Sequence, residues 1–229
     1  ALWHIDQDNS RTVNYKDSMQ GSYLGPEFSQ KEIEEQLDKA GAKYEIFKNE
    51  ELLDKTATDL SKEEAIGWFQ GRMEFGARAL GNRSILANPR DPQMKSRLNK
   101  MIKKREGFRP FAPIVKEESS LEYFDYHDKV PYMNQVVKVR SAHAKYLPAI
   151  THIDNSARIQ TLSKHQHRYI YSLLEKLELI NKYPIVINTS FNLKDQTMVL
   201  TPEDAIKTFL DCEMDTLVLG NYIIRKTII

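Results

Sequence analysis

Cysteine is almost absent: Cys212 is the single one among 229 residues. That excludes an intramolecular disulfide and a cysteine-based zinc site, and it fits a reducing compartment. Cys212 itself stands beside apolar residues at the end of a helical pattern and is expected in the core. An excess of either charge is also lacking. Thirty-three Lys and Arg face 32 Asp and Glu, leaving +1, so there is no global basic field of the kind non-specific nucleic-acid binders carry. No apolar stretch is long enough to cross a bilayer and no signal peptide is visible, which points to a cytoplasmic protein with no membrane partner. The six histidines form neither an H-x-x-x-H pair nor H-E-x-x-H, so no metal is expected in this chain, and each histidine is expected at the surface or in a structural role. The phosphate-loop signature G-x-x-x-x-G-K-[ST] is missing, as is any nucleophile–base pair of the Ser/His or Cys/His kind. What remains is ordinary for a globular chain, 41% hydrophobic and 28% charged. It is long enough for one large domain or two small ones. It opens on Ala1 rather than Met, as a fragment or processed product would.

The stretch Gly71–Arg90 (GRMEFGARALGNRSILANPR) interleaves Gly71, Gly76, Gly81 and Asn82 with Arg72, Arg78, Arg83 and Arg90. Glycine lets backbone approach a ligand closely, and arginine is a planar fork of donors that stays charged. Together they describe a loop able to wrap a polyanion. The competing reading is a surface turn with solvated arginines. The loop follows Ala65–Phe69, a run that reads as a buried strand, and such exits are common binding positions.

Along the chain, residues 1–22 are polar and turn-rich and read as a linker or entry arm, with the domain proper over 23–229. Ser29 and Glu32 make a capping box for a helix carrying Ile33 and Leu37, ended by Gly41. Lys43–Lys48 alternates as an edge strand, and the acidic run Asn49–Asp54 starts a short helix. Asp91-Pro92 opens a helix over Gln93–Arg105 whose buried stripe is Met94, Leu98, Met101 and Ile102. Seven cations and one acid lie between Lys95 and Arg109. At the helix C-terminus Lys103, Lys104 and Arg105 have a bland explanation in the helix dipole. Pro110 and Pro113 break the helix and set Arg109 between Phe108 and Phe111 in a stiff turn. Met133–Val139 reads as a strand. After a turn at Asp154–Asn155, the residues around Ala157 read as an edge or half-buried strand. A helix opens at His165–His167. Tyr183–Ile187 is an interior strand leading into Asn188-Thr189-Ser190-Phe191-Asn192, at the strand end where α/β sheets bind ligands. Thr201-Pro202 starts a last helix, and Thr216–Lys226 is a hairpin about Gly220–Asn221. Strands and helices alternate, so the fold class is α/β with a mixed sheet.

Arg78, Arg83, Lys103, Arg109, Arg158, Asn188, Ser190 and Asn192 together describe a site for a phosphate-rich ligand. Phosphoryl or nucleotidyl transfer asks a protein for charge neutralisation and positioning more than for covalent help.

Four motifs carry a resemblance: GRMEFGARALGNRSILANPRD, REGFRPFAP, HIDNSARIQT and INTSFN followed by TPEDAIKTF. In this order, from about Tyr23 to Leu219, they resemble the C-terminal domain of the O-carbamoyltransferases, the nodulation, cephem and tobramycin type. The resemblance implies a YrdC-like fold, a twisted mixed sheet flanked by helices with a positively charged concavity. It implies a domain that takes ATP, with Mg²⁺ on the nucleotide, and carbamoyl phosphate, and makes carbamoyl-adenylate and pyrophosphate. A separate, metal-bearing N-terminal domain of the same polypeptide, absent here, would pass the carbamoyl group to an acceptor hydroxyl. Lys103 and Arg109 take catalytic roles by the resemblance, with Arg78, Arg83, Arg158, Asn188, Ser190 and Asn192 binding substrate or nucleotide. Ala77 and Gly107 stand where the family has proline or a bulkier residue. A non-catalytic YrdC-like nucleotide- or RNA-binding module is the rival reading. The near-neutral charge argues against nucleic acid.

Overall fold

The computed structural model describes residue 17 and residues 19–226. Most of the expected linker over 1–22 lies outside the described residues. Among the described residues ten strands make one mixed sheet: β1 (Glu45–Ile46), β2 (Ile66–Phe69), β3 (Arg83–Ala87), β4 (Ala112–Lys116), β5 (Phe124–Asp125), β6 (Gln135–Val139), β7 (Ser156–Leu162), β8 (Ile185–Ser190), β9 (Thr216–Leu219) and β10 (Tyr222–Arg225). Their spatial order is β1-β10-β9-β2-β3-β8-β4-β7-β6-β5. The β2–β9 and β4–β7 pairs are parallel and the others antiparallel. The helices are α1 (Gln30–Lys39), α2 (Asn49–Ser61), α3 (Met94–Arg97), α4 (Ser120–Tyr123), α5 (Ser141–Ala144), α6 (Arg168–Asn181) and α7 (Pro202–Leu210).

Local sequence signals set several ends. Ser29 accepts from the Glu32 N–H while Glu32 accepts from the Ser29 N–H, the reciprocal cap of α1. Thr201 and Asp204 repeat it at α7, with Pro202 in the first turn. Cys212 is buried just beyond α7. The helix after Pro92 differs from expectation. It is regular only over Met94–Arg97, continues as a wide π-type turn over Leu98–Ile102, and stops three residues short of Arg105. The Lys103 N–H reaches the Leu98 carbonyl at 2.8 Å, five residues back. The extra residue in that turn rotates Met101 out to 49% exposure and brings Asn99 and Lys103 inside. Strand β7 is also a correction: it is interior, paired with β4 on one side and β6 on the other.

Both sheet faces are covered, and period-two alternation assigns residues to each. One face carries Phe69, Ile85, Ala87, Val115, Ile159, Ile185 and Ile187 under α1, α3 and α7. The other carries Trp68, Leu86, Ile114, Leu162, Val186 and Val218 under α2 and α6. Three neighbouring rows on that second face change character along their length. Val186 is followed by Asn188 and Ser190 on β8, Leu162 by Gln160 and Arg158 on β7, and Ile114 by Ala112 on β4. Because β8 runs antiparallel to β4 and β7, the three rows turn from apolar to polar or small in the same direction. That region is the floor of the candidate site.

Candidate functional site

A cleft of about 380 Å³ sits over this floor. Its wall is built by the loop residues Ala77–Ala79, by Arg105 and Arg109–Ala112, by Met133 and Val136, by His152 and Arg158, and by Asn188–Ser190. Four guanidinium side chains, Arg78, Arg105, Arg109 and Arg158, thus meet from three segments. None of the described lining residues is acidic.

The loop carrying Arg78 is held by its own buried acid. Glu74, 2% exposed, accepts through Oε1 from the backbone N–H groups of Leu80 and Asn82 at 2.7 Å and of Arg83 at 3.2 Å. The Ala79 carbonyl accepts from Asn188 Nδ2 at 2.8 Å, and the Leu80 carbonyl from Tyr23 Oη at 2.9 Å and Gln160 Nε2 at 3.0 Å. Backbone fixed on both sides presents Arg78 outward to solvent. Arg109 is exposed too, and its Nε lies 2.9 Å from Glu106 Oε2, a solvent-facing pair of little energetic weight. Arg105 donates to Asn99 Oδ1 at 2.7 Å and lies over the Phe111 ring.

Crowded cations lower one another's proton affinity. Burial, then the charges of Arg78 and Arg105, hold Arg158 below the usual arginine range. Burial, then Arg109, does the same to Arg105, opposed by Glu106. An anion in the cleft relieves that repulsion, which is how a site made of fixed charge favours a polyanion.

Lys103, Ser190 and Asn192 come together, but as a bolt beneath the cleft. The Lys103 ammonium is 2.5 Å from the Ser190 carbonyl, 3.2 Å from Ser190 Oγ, 3.0 Å from the Asn192 carbonyl and 2.6 Å from Asn192 Oδ1. Ser190 Oγ also donates to Asn192 Oδ1 at 2.7 Å. Burial, then the charge of Arg105, pushes Lys103 down to about 7. The surrounding oxygens oppose that pull by favouring the ammonium form. Ser190 lines the cleft, whereas Lys103 and Asn192 stand behind it.

Arg83 is a correction. Fully buried, it lies 3.5 Å over the Phe69 ring and donates to four backbone carbonyls, those of Gln70, Asn82, Pro26 and Gly71. Its fork is consumed in closing the glycine-rich loop, so it faces no ligand. The basic stripe from Lys95 to Arg109 is likewise dispersed. Arg97 pairs with Asp215 at 2.6 Å, Lys103 is buried, and Arg105 and Arg109 line the cleft.

Sequence reasoning missed Glu74, Gln160 and His152. Glu74 is the one acid inside an arginine-rich loop, and Gln160 follows Arg158 by two residues, hence on the same strand face; both signals were readable. His152, expected at the surface or in a structural role, lines the cleft. Its Nδ1 is 3.2 Å from Ser156 Oγ, which donates to Asp154 Oδ1 at 2.6 Å. The serine proton is thereby used, so Nδ1 carries hydrogen and Nε2 keeps a lone pair. Burial holds His152 below its ordinary pKa, with Asp154 opposing and Lys95 and Arg158 reinforcing. Among the described residues no cluster of three or more His, Cys, Asp or Glu is arranged to hold a metal ion, and no helix is long and apolar enough to cross a membrane.

Residues 57–226 match the family model described as Carbamoyltransferase C-terminus. The chain is 43% identical to the uncharacterized protein sll1178 of Synechocystis sp. over 99% of its own length and 40% of that protein's. It is 41% identical to nodulation protein NolNO of Sinorhizobium fredii over 92% of its length and 32% of that protein's. The chain therefore spans less than half the length of these curated relatives. Among solved structures, full-length HypF in a phosphate- and nucleotide-bound form superposes with a TM-score of 0.53 at 17% identity, covering 75% of this chain and 25% of that one. At that identity the likeness speaks of fold alone, which is YrdC-like.

Proposed function

The chain belongs to the carbamoyltransferase C-terminal family, and we propose that its cleft binds ATP and carbamoyl phosphate and forms carbamoyl-adenylate. The observation that carries this reading is the convergence of Arg78, Arg105, Arg109 and Arg158 on one hollow whose described lining holds no carboxylate. In the reaction, water splits carbamoyl phosphate to carbamate and phosphate. A carbamate oxygen then attacks the α-phosphorus of ATP, and the bond to the departing pyrophosphate breaks. Apart from water every species in that sequence is an anion, and negative charge builds on the phosphoryl oxygens as the bond to pyrophosphate lengthens. Guanidinium groups already gathered at the cleft stabilise that charge. Arg109, held only by an exposed pair with Glu106, is free to turn onto a phosphate. Ser190 offers a hydroxyl at the floor, and Lys103 keeps it in place from behind. Mg²⁺ would arrive on the nucleotide phosphates, since the lining offers no carboxylate to hold it. Delivery of the carbamoyl group to an acceptor hydroxyl belongs, in this reading, to a region of the longer relatives that the chain does not span.

The test is carbamoyl-phosphate-dependent exchange of labelled pyrophosphate into ATP, with calorimetric titration of each ligand. Binding of both ligands, lost in Arg158→Ala, and exchange that needs carbamoyl phosphate are expected. No binding of either ligand by the folded chain rejects the proposal.

A further inference from the structure

Among the described residues lining the cleft, two buried polar atoms have no partner, and they are of opposite kinds: Arg158 Nε, a donor, and Asn188 Oδ1, an acceptor. A phosphate can satisfy the first but not the second, because a phosphate oxygen needs donors only. Yet Asn188 is 1% exposed, and leaving an acceptor unpaired at that depth costs about 1–3 kcal/mol.

The orientation of this amide is fixed by its neighbours. Asn188 Nδ2 donates to the Ala79 carbonyl at 2.8 Å and to Gln160 Oε1 at 3.0 Å. Gln160 is fixed in turn, because its Nε2 donates to the Leu80 carbonyl at 3.0 Å. Turning Asn188 over would set its oxygen against two acceptors. The Thr189 hydroxyl can rotate to suit a partner; the Asn188 oxygen cannot. Two backbone carbonyls of the Arg78 loop therefore dictate, through a pair of amides, that a hydrogen-bond acceptor stands at the floor of a cleft otherwise rich in donors.

We infer that Asn188 is the specificity-determining residue of the cleft: its Oδ1 accepts an N–H of the carbamoyl amino group, while Arg158 Nε donates to an oxygen of the same small head group. This rests on the reading under Proposed function. A carbamoyl group offers one carbonyl acceptor and one amino donor, which is what the two unpartnered atoms ask for. The amino group of adenine is the other N–H source in the proposed substrates. It lies a ribose away from the phosphates, whereas the carbamoyl nitrogen lies within the same small unit as its phosphorus, as Asn188 lies between the Arg78 loop and Ser190. Gln160 is a positioning residue that acts through Asn188.

Acetyl phosphate is the discriminating probe, since it replaces the amino group by methyl and keeps the carbonyl and phosphate. By calorimetry, the wild-type chain is expected to bind carbamoyl phosphate at least about tenfold more tightly than acetyl phosphate. In Asn188→Leu that preference disappears, carbamoyl phosphate binding falling to the level of acetyl phosphate, whatever the accompanying change in ATP affinity from the lost bond to the Ala79 carbonyl. In Gln160→Met, where Asn188 remains but one of the two acceptors that hold its amide is gone, the preference shrinks severalfold; this variant serves if Asn188→Leu does not fold. Equal wild-type affinity for the two acyl phosphates overturns the inference, as does a preference that survives both substitutions. So does a loss confined to ATP, which would give the acceptor to adenine. A wild-type chain that binds ATP but neither acyl phosphate rejects instead the function proposed above.

Discussion

Arg78 and Arg83 are five positions apart in one loop motif and have opposite surroundings. Arg78 is exposed at the cleft wall, so Arg78→Ala is expected to weaken ATP binding by about tenfold or more while the melting temperature holds. Arg83 is spent on four carbonyls and a ring. Arg83→Met takes the donor from the Gln70 and Gly71 carbonyls, whereas those of Asn82 and Pro26 keep a backbone N–H, and is expected to cost about 2–4 kcal/mol in urea unfolding. The sequence displayed both arginines without distinguishing them, because burial of a guanidinium is decided by which carbonyls surround it after folding. One clue was present: Arg83 directly precedes Ser84–Ala87, whose residues suit a short strand. Arg109, Arg158, Asn188 and Ser190 were legible as a polar set, and the structure brings them to one hollow. Lys103 and Asn192 were read as members of that set, Lys103 in a catalytic role; the structure sets both behind the cleft lining.

At the scale of elements, caps and turn pairs could be read because their signals are local. The Ser29–Glu32 and Thr201–Asp204 boxes and the hairpin at Gly220–Asn221 need only residues a few positions apart. The wide turn at Leu98–Ile102 could not be read. It serves a tertiary demand, the burial of Lys103 under β8, that amphipathic periodicity does not contain. The glycine-rich loop lies between these cases. Gly81 holds φ near +118°, and a β-carbon there would meet Ile170 Cγ1 at 3.0 Å; its carbonyl accepts from Trp68 Nε1 at 2.9 Å. Gly81→Ala is therefore expected to cost about 1–3 kcal/mol, seen as a lower melting temperature. It is also expected to weaken anion binding, because Ala79 and Leu80 shift with it.

For the whole molecule, one buried histidine couples stability to acid. His167 caps α6 by accepting from the Ile170 N–H at 3.2 Å, and its Nε2 donates to Asn82 Oδ1 at 2.7 Å. The capping contact requires the neutral ring, since a protonated Nδ1 cannot accept, and burial pushes its pKa from about 6.5 down to about 4. The unfolded chain takes up that proton first. Stability is thus full above pH 6.5 and falls as pH drops towards 4, by about 3 kcal/mol in this window. His167→Asn, which keeps a capping oxygen without titrating, is expected to flatten that part of the profile in thermal melts across pH. The α/β class and the mixed sheet followed from alternating strands and helices. The position of β7 inside the sheet did not, because pairing partners distant in sequence leave no local trace.

The three strand rows that floor the cleft come from remote stretches of the polypeptide and alternate with period two. A slip of one position in β8 would bury Thr189 where Asn188 belongs and erase the recess altogether. Occupancy is therefore a report on alignment. A half-assembled chain has nothing with which to grip an anion, and a solution rich in the right one draws molecules out of misthreaded forms by mass action, so refolding yield would rise with its concentration.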